Sequence, residues 1–241
     1  YIALAALSLF GVTLNQILFI GGLSLTKAVN TSLLAVTIPI FTLIFSTLTG
    51  NEQITRRKVL GILLSITGVV LIIDPRKASF SSETTAGDIL IVLNSICYAI
   101  YVSLSKKIIT RNGPFRSMMW LFIFSSLVCV PLGYFSFSSM PENNVTPEIW
   151  LIVIYIAVAA TAGAYLLNAF ALSKVDPSIV ASYIYLQPLV GLLLGVLFLG
   201  ESVGLLFIMA ALAIFAGLYL ACFSKKKEDL EDLSVSTAPH Y

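Results

Sequence analysis

Apolar residues fill nearly all of positions 1 to 223 in eight stretches, at roughly 2–24, 28–49, 54–73, 87–105, 115–137, 149–172, 177–199 and 202–223. A helix needs about 20 residues to cross the hydrocarbon core of a bilayer, and each stretch approaches or exceeds that length. The runs are too continuous for the alternating strands of an outer-membrane barrel, and a lipid-exposed backbone must bond within its own segment. The pattern predicts an all-α membrane protein with eight transmembrane helices.

Composition agrees. Hydrophobic residues make up 58% of the chain, charged ones 11%, and the mean hydropathy is +0.98, against about 25% charged in soluble domains. Most soluble functions are excluded, and no nucleic-acid partner is expected. The expected partners are the lipid bilayer and a small-molecule substrate.

The net charge of +2 says little, but its placement says more. Threading eight helices puts Arg56, Arg57, Lys58, Lys106, Lys107, Arg111, Arg116, Lys174, Lys225, Lys226 and Lys227 on the side that holds both termini, with only Lys27, Arg76 and Lys77 opposite. Basic residues near helix ends stay cytoplasmic, so both ends of the chain are expected in the cytoplasm. The first stretch lacks a basic n-region and a small-residue cleavage pattern, which argues against a signal peptide. Cys97, Cys129 and Cys222 sit inside apolar runs without paired spacing and read as packing residues. Neither a metal nor a cofactor is expected.

Laid against itself at an offset of 149, the chain pairs Ser24 with Ser173, Pro39 with Pro188, Glu52 with Glu201 and Gly68 with Gly217. The first three stretches thus correspond to the last three. Five helices separate each from its counterpart, and an odd separation inverts the topology. Inverted repeats of this sort place a substrate near the midplane between two halves. Equivalents of the fourth and fifth stretches would begin roughly 60 residues before Tyr1 (87 − 149), so the intact protein is expected to carry ten helices as two units of five. The expected organisation is the last three helices of a first repeat at 1–73, a linker at 74–86, a five-helix second repeat at 87–223 and a disordered cytoplasmic tail at 224–241.

The stretch LFGVTLNQILFIGGLSLTKAVNTSLLAVTIPIFTLIFS, the later AYLLNAFALSKVDPSIVASYIYLQPLVGLLLGVLFLGE and the Gly-rich helix after each resemble the EamA family of the drug/metabolite transporter superfamily. The likeness spans residues 1 to 223. It implies a ten-helix transporter with cytoplasmic ends, commonly an exporter of amino acids or other small metabolites.

No charged side chain lies near the middle of any stretch, where each would cost about 2.5–3.5 kcal/mol on insertion scales. An organophosphate substrate would want an Arg or Lys clamp, and a proton-coupling carboxylate is equally missing from these spans. Neutral polar and aromatic side chains remain, on helical faces. Asn94, Tyr98, Tyr101 and Ser105 form one stripe of the fourth stretch, Thr161, Tyr165 and Asn168 one of the sixth, and Tyr183 and Gln187 align with Gly191 and Gly195 on the seventh. The first stretch presents Asn15 and Gln16. An amide in hydrocarbon must face another helix or a wet cavity. The candidate substrate-binding residues are therefore Asn15, Gln16, Asn94, Tyr98, Tyr101, Tyr165, Asn168, Tyr183 and Gln187.

Pro39 and Pro188 fall mid-helix, where each removes a backbone hydrogen bond and crowds the carbonyl four residues earlier, at Ala35 and Ile184. They are candidate hinges, or else static bends. Pro131 has no counterpart and reads as a packing kink. Glu52 and Glu201 end their helices on opposite sides and read as carboxylates that fix the following turn or the next helix's N-terminus. Gly61, Gly68, Gly191, Gly195 and Gly217 read as sites of close helix approach. Asn144-Val145-Thr146 fits a glycosylation sequon, which has no role in a bacterial inner membrane.

The expected function is secondary transport, most simply export, of small neutral or zwitterionic metabolites such as amino acids by alternating access. The alternative is a non-transporting membrane scaffold or assembly subunit. An enzyme is not expected: the single histidine, His240, lies in the tail, and no paired Ser/His arrangement or buried acid is visible.

Overall fold

The computed structural model describes residues 1–73, 78, 80–138, 146–190, 193, 197 and 205–236, with backbone alone for 137, 138, 206, 207 and 223–236. Gly191, Gly195, Glu201, Asn144, Val145, His240 and, within the linker, residues 74–77 and 79 lie outside the described residues. Everything regular among the described residues is helical: α1 (Ile2–Leu25), α2 (Ala28–Ala35), α3 (Ile38–Leu48), α4 (Arg56–Ile73), α5 (Thr85–Asn112), α6 (Pro114–Ser138), α7 (Pro147–Leu172), α8 (Pro177–Ser182) and α9 (Leu205–Ser236). Among them, α1, the α2–α3 unit, α5, α6 and α7 are long and apolar enough to cross a membrane. Helix α4 has 18 residues and opens on Arg56, Arg57 and Lys58.

The chain reversals follow local chemistry. Just past the end of α3, Gly50 N–H reaches the Thr47 carbonyl, and the Gly50 φ of 65° lets Asn51 N–H turn back to Ser46 at 2.8 Å. Only a residue without Cβ takes that conformation cheaply. Helix α5 also stops at a glycine of positive φ, Gly113 (84°), whose N–H bonds to Ile109 at 2.8 Å, and Pro114 opens α6 because its missing N–H has no partner at a helix start anyway. Two expectations need correction. Pro39 does not kink a helix from within: the chain breaks at Val36 and Thr37, whose N–H groups bond back to Leu33 and Leu34, and Pro39 stands in the first turn of the new helix α3. Pro188 behaves similarly, following a 3-10 turn at Tyr183–Leu186. The last helix runs past the apolar boundary at 223, through Lys225–Lys227 and the acidic run, to Ser236. Lys, Glu and Leu are strong helix formers, and here that propensity carries the helix onward.

Two apolar cores hold the bundle. One gathers Leu4, Leu7, Tyr101, Val102, Met118, Leu121 and Leu172 from α1, α5, α6 and α7; the other gathers Val36, Leu43, Ile62, Val69, Tyr185 and Ile214 from α2–α3, α4, the 3-10 turn after α8 and α9. Helices α4 and α9 pack against each other antiparallel and very closely. A Cβ on Gly61 would lie 2.5 Å from the Gly217 carbonyl, and one on Gly68 would lie 2.7 Å from the Ala210 carbonyl. The glycines thus sit where backbone meets backbone, as the sequence predicted. In α7, every residue from Pro147 to Ala160 is exposed, and the exposed set includes Trp150, Leu151, Tyr155 and Val158. Such a face is suited to lipid, not water.

Candidate functional site

Helices α1, α2–α3, α5, α7 and α8 enclose a cavity of about 520 Å³. Eight of the nine predicted site residues line it: Asn15, Gln16, Asn94, Tyr98, Tyr165, Asn168, Tyr183 and Gln187, together with apolar Phe19, Ile38, Ile91 and Val180. No charged side chain is among the lining residues. A smaller hollow of about 290 Å³, bounded by Ser32, Val36 and Pro188, shares Ala35, Ile184 and Gln187 with it.

Tyr101 is the exception. It is fully buried in the first core, its ring laid against Gly11 and its hydroxyl directed at the Met118 sulfur at 3.8 Å. The stripe on α5 therefore splits: Asn94 and Tyr98 turn to the cavity, while Tyr101 and Ser105 turn to packing, Ser105 bonding back to Val102. The four share one face to within about 60°, so the split runs along the helix axis: Tyr101 and Ser105 stand about 10 and 16 Å beyond Asn94, and the boundary falls between Tyr98 and Tyr101.

The polar wall is cross-linked. Helix α1 widens into a π turn at Leu9–Thr13, which turns carbonyls sideways out of the usual ladder. The Tyr165 hydroxyl donates to the Gly11 carbonyl at 2.6 Å and the Asn94 amide to the Asn15 carbonyl at 2.8 Å. The Asn168 amide donates to the Tyr98 hydroxyl at 3.1 Å, leaving its own buried carbonyl oxygen without a hydrogen-bond partner. Helix α7 carries a second π turn at Ile156–Gly163, just ahead of Tyr165 and Asn168. Tyr98, Tyr101, Tyr165 and Phe122 form an aromatic run with ring centroids 5.7–6.2 Å apart. The site offers neutral donors, acceptors and ring faces in a space fit for a small molecule. Among the described residues, no group of three or more His, Cys, Asp or Glu side chains is arranged to hold a metal.

Sequence reasoning missed a buried ionic cluster at the end bearing the 49–55 and 173–176 turns. Lys58, only 3% exposed, lies 3.0 Å from the Glu52 carboxylate and 3.0 Å from that of Asp176, and Lys106 lies 3.0 Å from the other Asp176 oxygen. Glu52 accepts hydrogen bonds from the backbone N–H of Ser178 at 3.1 Å and from the Ser178 hydroxyl. It therefore anchors the start of α8, a later helix than the one it was expected to serve. Burial alone would push the Asp176 carboxyl up, but the hydrogen bonds and charges of Lys58 and Lys106 outweigh it and hold the group down at about 2. The available signal was Asp176-Pro177, an N-terminal helix pattern with a carboxylate. At the other end Asp88 accepts from Asn30 at 3.1 Å, Thr84 at 3.0 Å and Thr26 at 2.5 Å.

Comparison with known proteins adds the kinship. The EamA-like transporter family matches residues 1–74 and 85–223. An uncharacterized transporter of Archaeoglobus fulgidus is 28% identical over 221 residues, covering 91% of this chain and 75% of the relative. The uncharacterized transporter YyaM of Bacillus subtilis is 21% identical over 223 residues (92% and 72%), and a WAT1-related protein of Arabidopsis thaliana is 24% identical over 257 residues (92% and 68%). A solved crystal structure matches 90% of this chain and 74% of its own length with a TM-score of 0.75 at 16% identity, a likeness of fold.

Proposed function

The chain belongs to the EamA-like transporter family, and we propose that it carries small neutral or zwitterionic metabolites, amino acids among them, outward across a bacterial inner membrane by alternating access. The observation that carries this reading is the uncharged cavity, walled by the amides of Asn15 and Gln16 from α1 on one side and by Asn94, Tyr98, Tyr165, Asn168, Tyr183 and Gln187 from α5, α7 and the segment after α8 on the other. An anionic substrate would lack a cationic partner there, whereas a zwitterion or a polar neutral molecule finds both donors and acceptors.

The architecture proposed is eight spans of a ten-helix inverted repeat, with both ends of this chain cytoplasmic. Its support is the recurrence of one offset. Tyr185 bonds to Val36 and Ser65 to Ile214, both pairs 149 residues apart. Direct contact between equivalent positions is what a two-fold axis produces. The close contacts Gly61–Gly217 and Gly68–Ala210 exchange under the same offset, and the π turns at Leu9–Thr13 and Ile156–Gly163 overlap under it. The paired breaks before Pro39 and Pro188 are the proposed hinges.

An efflux assay on the full-length protein with a panel of amino acids and related metabolites tests the assignment. Gln187→Leu and Asn168→Leu are expected to abolish flux of the transported compound with membrane insertion intact. Flux of no neutral or zwitterionic metabolite, or undiminished flux in both variants, removes the substrate class or the site respectively.

A further inference from the structure

We propose that the cluster of Glu52, Lys58, Lys106 and Asp176 is the latch that shuts the cavity on the cytoplasmic side and parts when that side opens; this rests on the transporter reading above. The latch joins the two halves. Glu52 comes from the turn before α4 and Lys58 from the first turn of α4, while Lys106 comes from α5 and Asp176 from the turn into α8. Ser178, which holds Glu52, stands three residues before Ala181 in the cavity wall, about 4.5 Å along a helix axis. The cluster therefore lies one turn beneath the cavity floor. Lys106 adds a 2.9 Å bond to the Val175 carbonyl, so the turn that bears Asp176 is held from both halves at once.

The chemistry suits a part that must both hold and let go. Two ammonium and two carboxylate groups balance, and Lys58, Glu52 and Asp176 are each less than a tenth exposed. While the cluster is dry, withdrawing one member strands a buried charge, which is strongly unfavourable. Once the end opens, water solvates all four, and paired and separated states become nearly equal in energy. An apolar plug of the same size would expose its whole area on opening and gain nothing back. The ionic arrangement thus favours two discrete states, closed and dry or open and wet, over partial opening.

The test reads accessibility and needs no substrate. In full-length protein with Cys97, Cys129 and Cys222 replaced by Ser, Ala181→Cys reports on the cavity floor to a membrane-impermeant maleimide added to inside-out vesicles. Labelling is expected to be slow in this parent and to rise several-fold with Glu52→Gln, with Asp176→Asn and with Lys58→Met. Lys107→Met, which removes a charge from an exposed neighbouring position, is expected to leave it unchanged. The two carboxylate variants keep side-chain size, so they decide the matter if Lys58→Met fails to insert. Parental labelling in both, or an equal rise in Lys107→Met, overturns the latch. Loss of flux in the efflux assay without any change in labelling also counts against it, whereas absent flux in the parent with a latch-dependent change in labelling overturns the transport reading and leaves the closure standing.

Discussion

The phenol of Tyr185 donates a 3.0 Å hydrogen bond to the main-chain carbonyl of Val36, in the break that precedes Pro39. Tyr185 is only 1% exposed, so the bond bridges the 3-10 turn after α8 and the α2–α3 break in a dry place. An interrupted helix in a membrane is tolerated where other groups take up the freed backbone, and this hydroxyl does so.

Tyr185→Phe removes that donor and keeps the ring. A buried carbonyl left without a partner costs about 1–3 kcal/mol, so a lower melting temperature in detergent with normal insertion is the expected result. Unchanged melting would mean that another group or water already satisfies Val36.

The α4–α9 contact gives a second expectation. Gly61→Ala and Gly217→Ala each drive a methyl into facing backbone, and overpacking of this kind costs about 1–3 kcal/mol. Gly133→Ala in α6 meets nothing within 4 Å and is expected to be neutral or slightly stabilising in thermal melts. Equal effects at the three sites would refute the close approach.

Tyr101 separates packing from binding. Tyr101→Phe loses only a weak contact to the Met118 sulfur and is expected to keep both stability and flux. Tyr101→Ala empties a fully buried site, for which about 3–5 kcal/mol is usual for an aromatic, and is expected to reduce the yield of folded protein. Lost flux in a stable Tyr101→Phe would return the hydroxyl to the site.

Acid should loosen the latch through Asp176. Its folded pKa of about 2 lies below the ordinary 3.8, so its contribution to stability is complete above about pH 4 and disappears as pH falls through about 2. The partners facing it are Lys58 and Lys106, with Glu52 beyond Lys58. Melting temperature against pH should show this fall in the parent and a shallower one in Asp176→Asn. Identical curves would show that Asp176 is not held by its partners.

The candidate site was largely legible because membranes make polar residues conspicuous. An Asn or Gln in hydrocarbon needs a partner, and Asn15, Asn94, Asn168 and Gln187 all reach one cavity. Tyr101 misled because a stripe on one helix does not say where a neighbour's glycine lets a ring sink in; Gly11 on α1 does that. The prolines misled for a related reason. A lone Pro in an apolar run marks a backbone bond that cannot form, yet whether the helix bends or restarts depends on groups such as Tyr185 that take up the loosened carbonyls.

By itself the chain's pattern determined that it is helical and suited to lipid, where most of the described helices fall, and which neutral side chains are candidates for a cavity, since length, hydropathy and spacing are local properties. Only the tertiary structure decided that Lys58, counted from sequence among the basic residues on the side of the termini, is buried between Glu52 and Asp176, residues 6 and 118 positions away. Charge pairing across such separations depends on how the helices are brought together, and no local pattern encodes it.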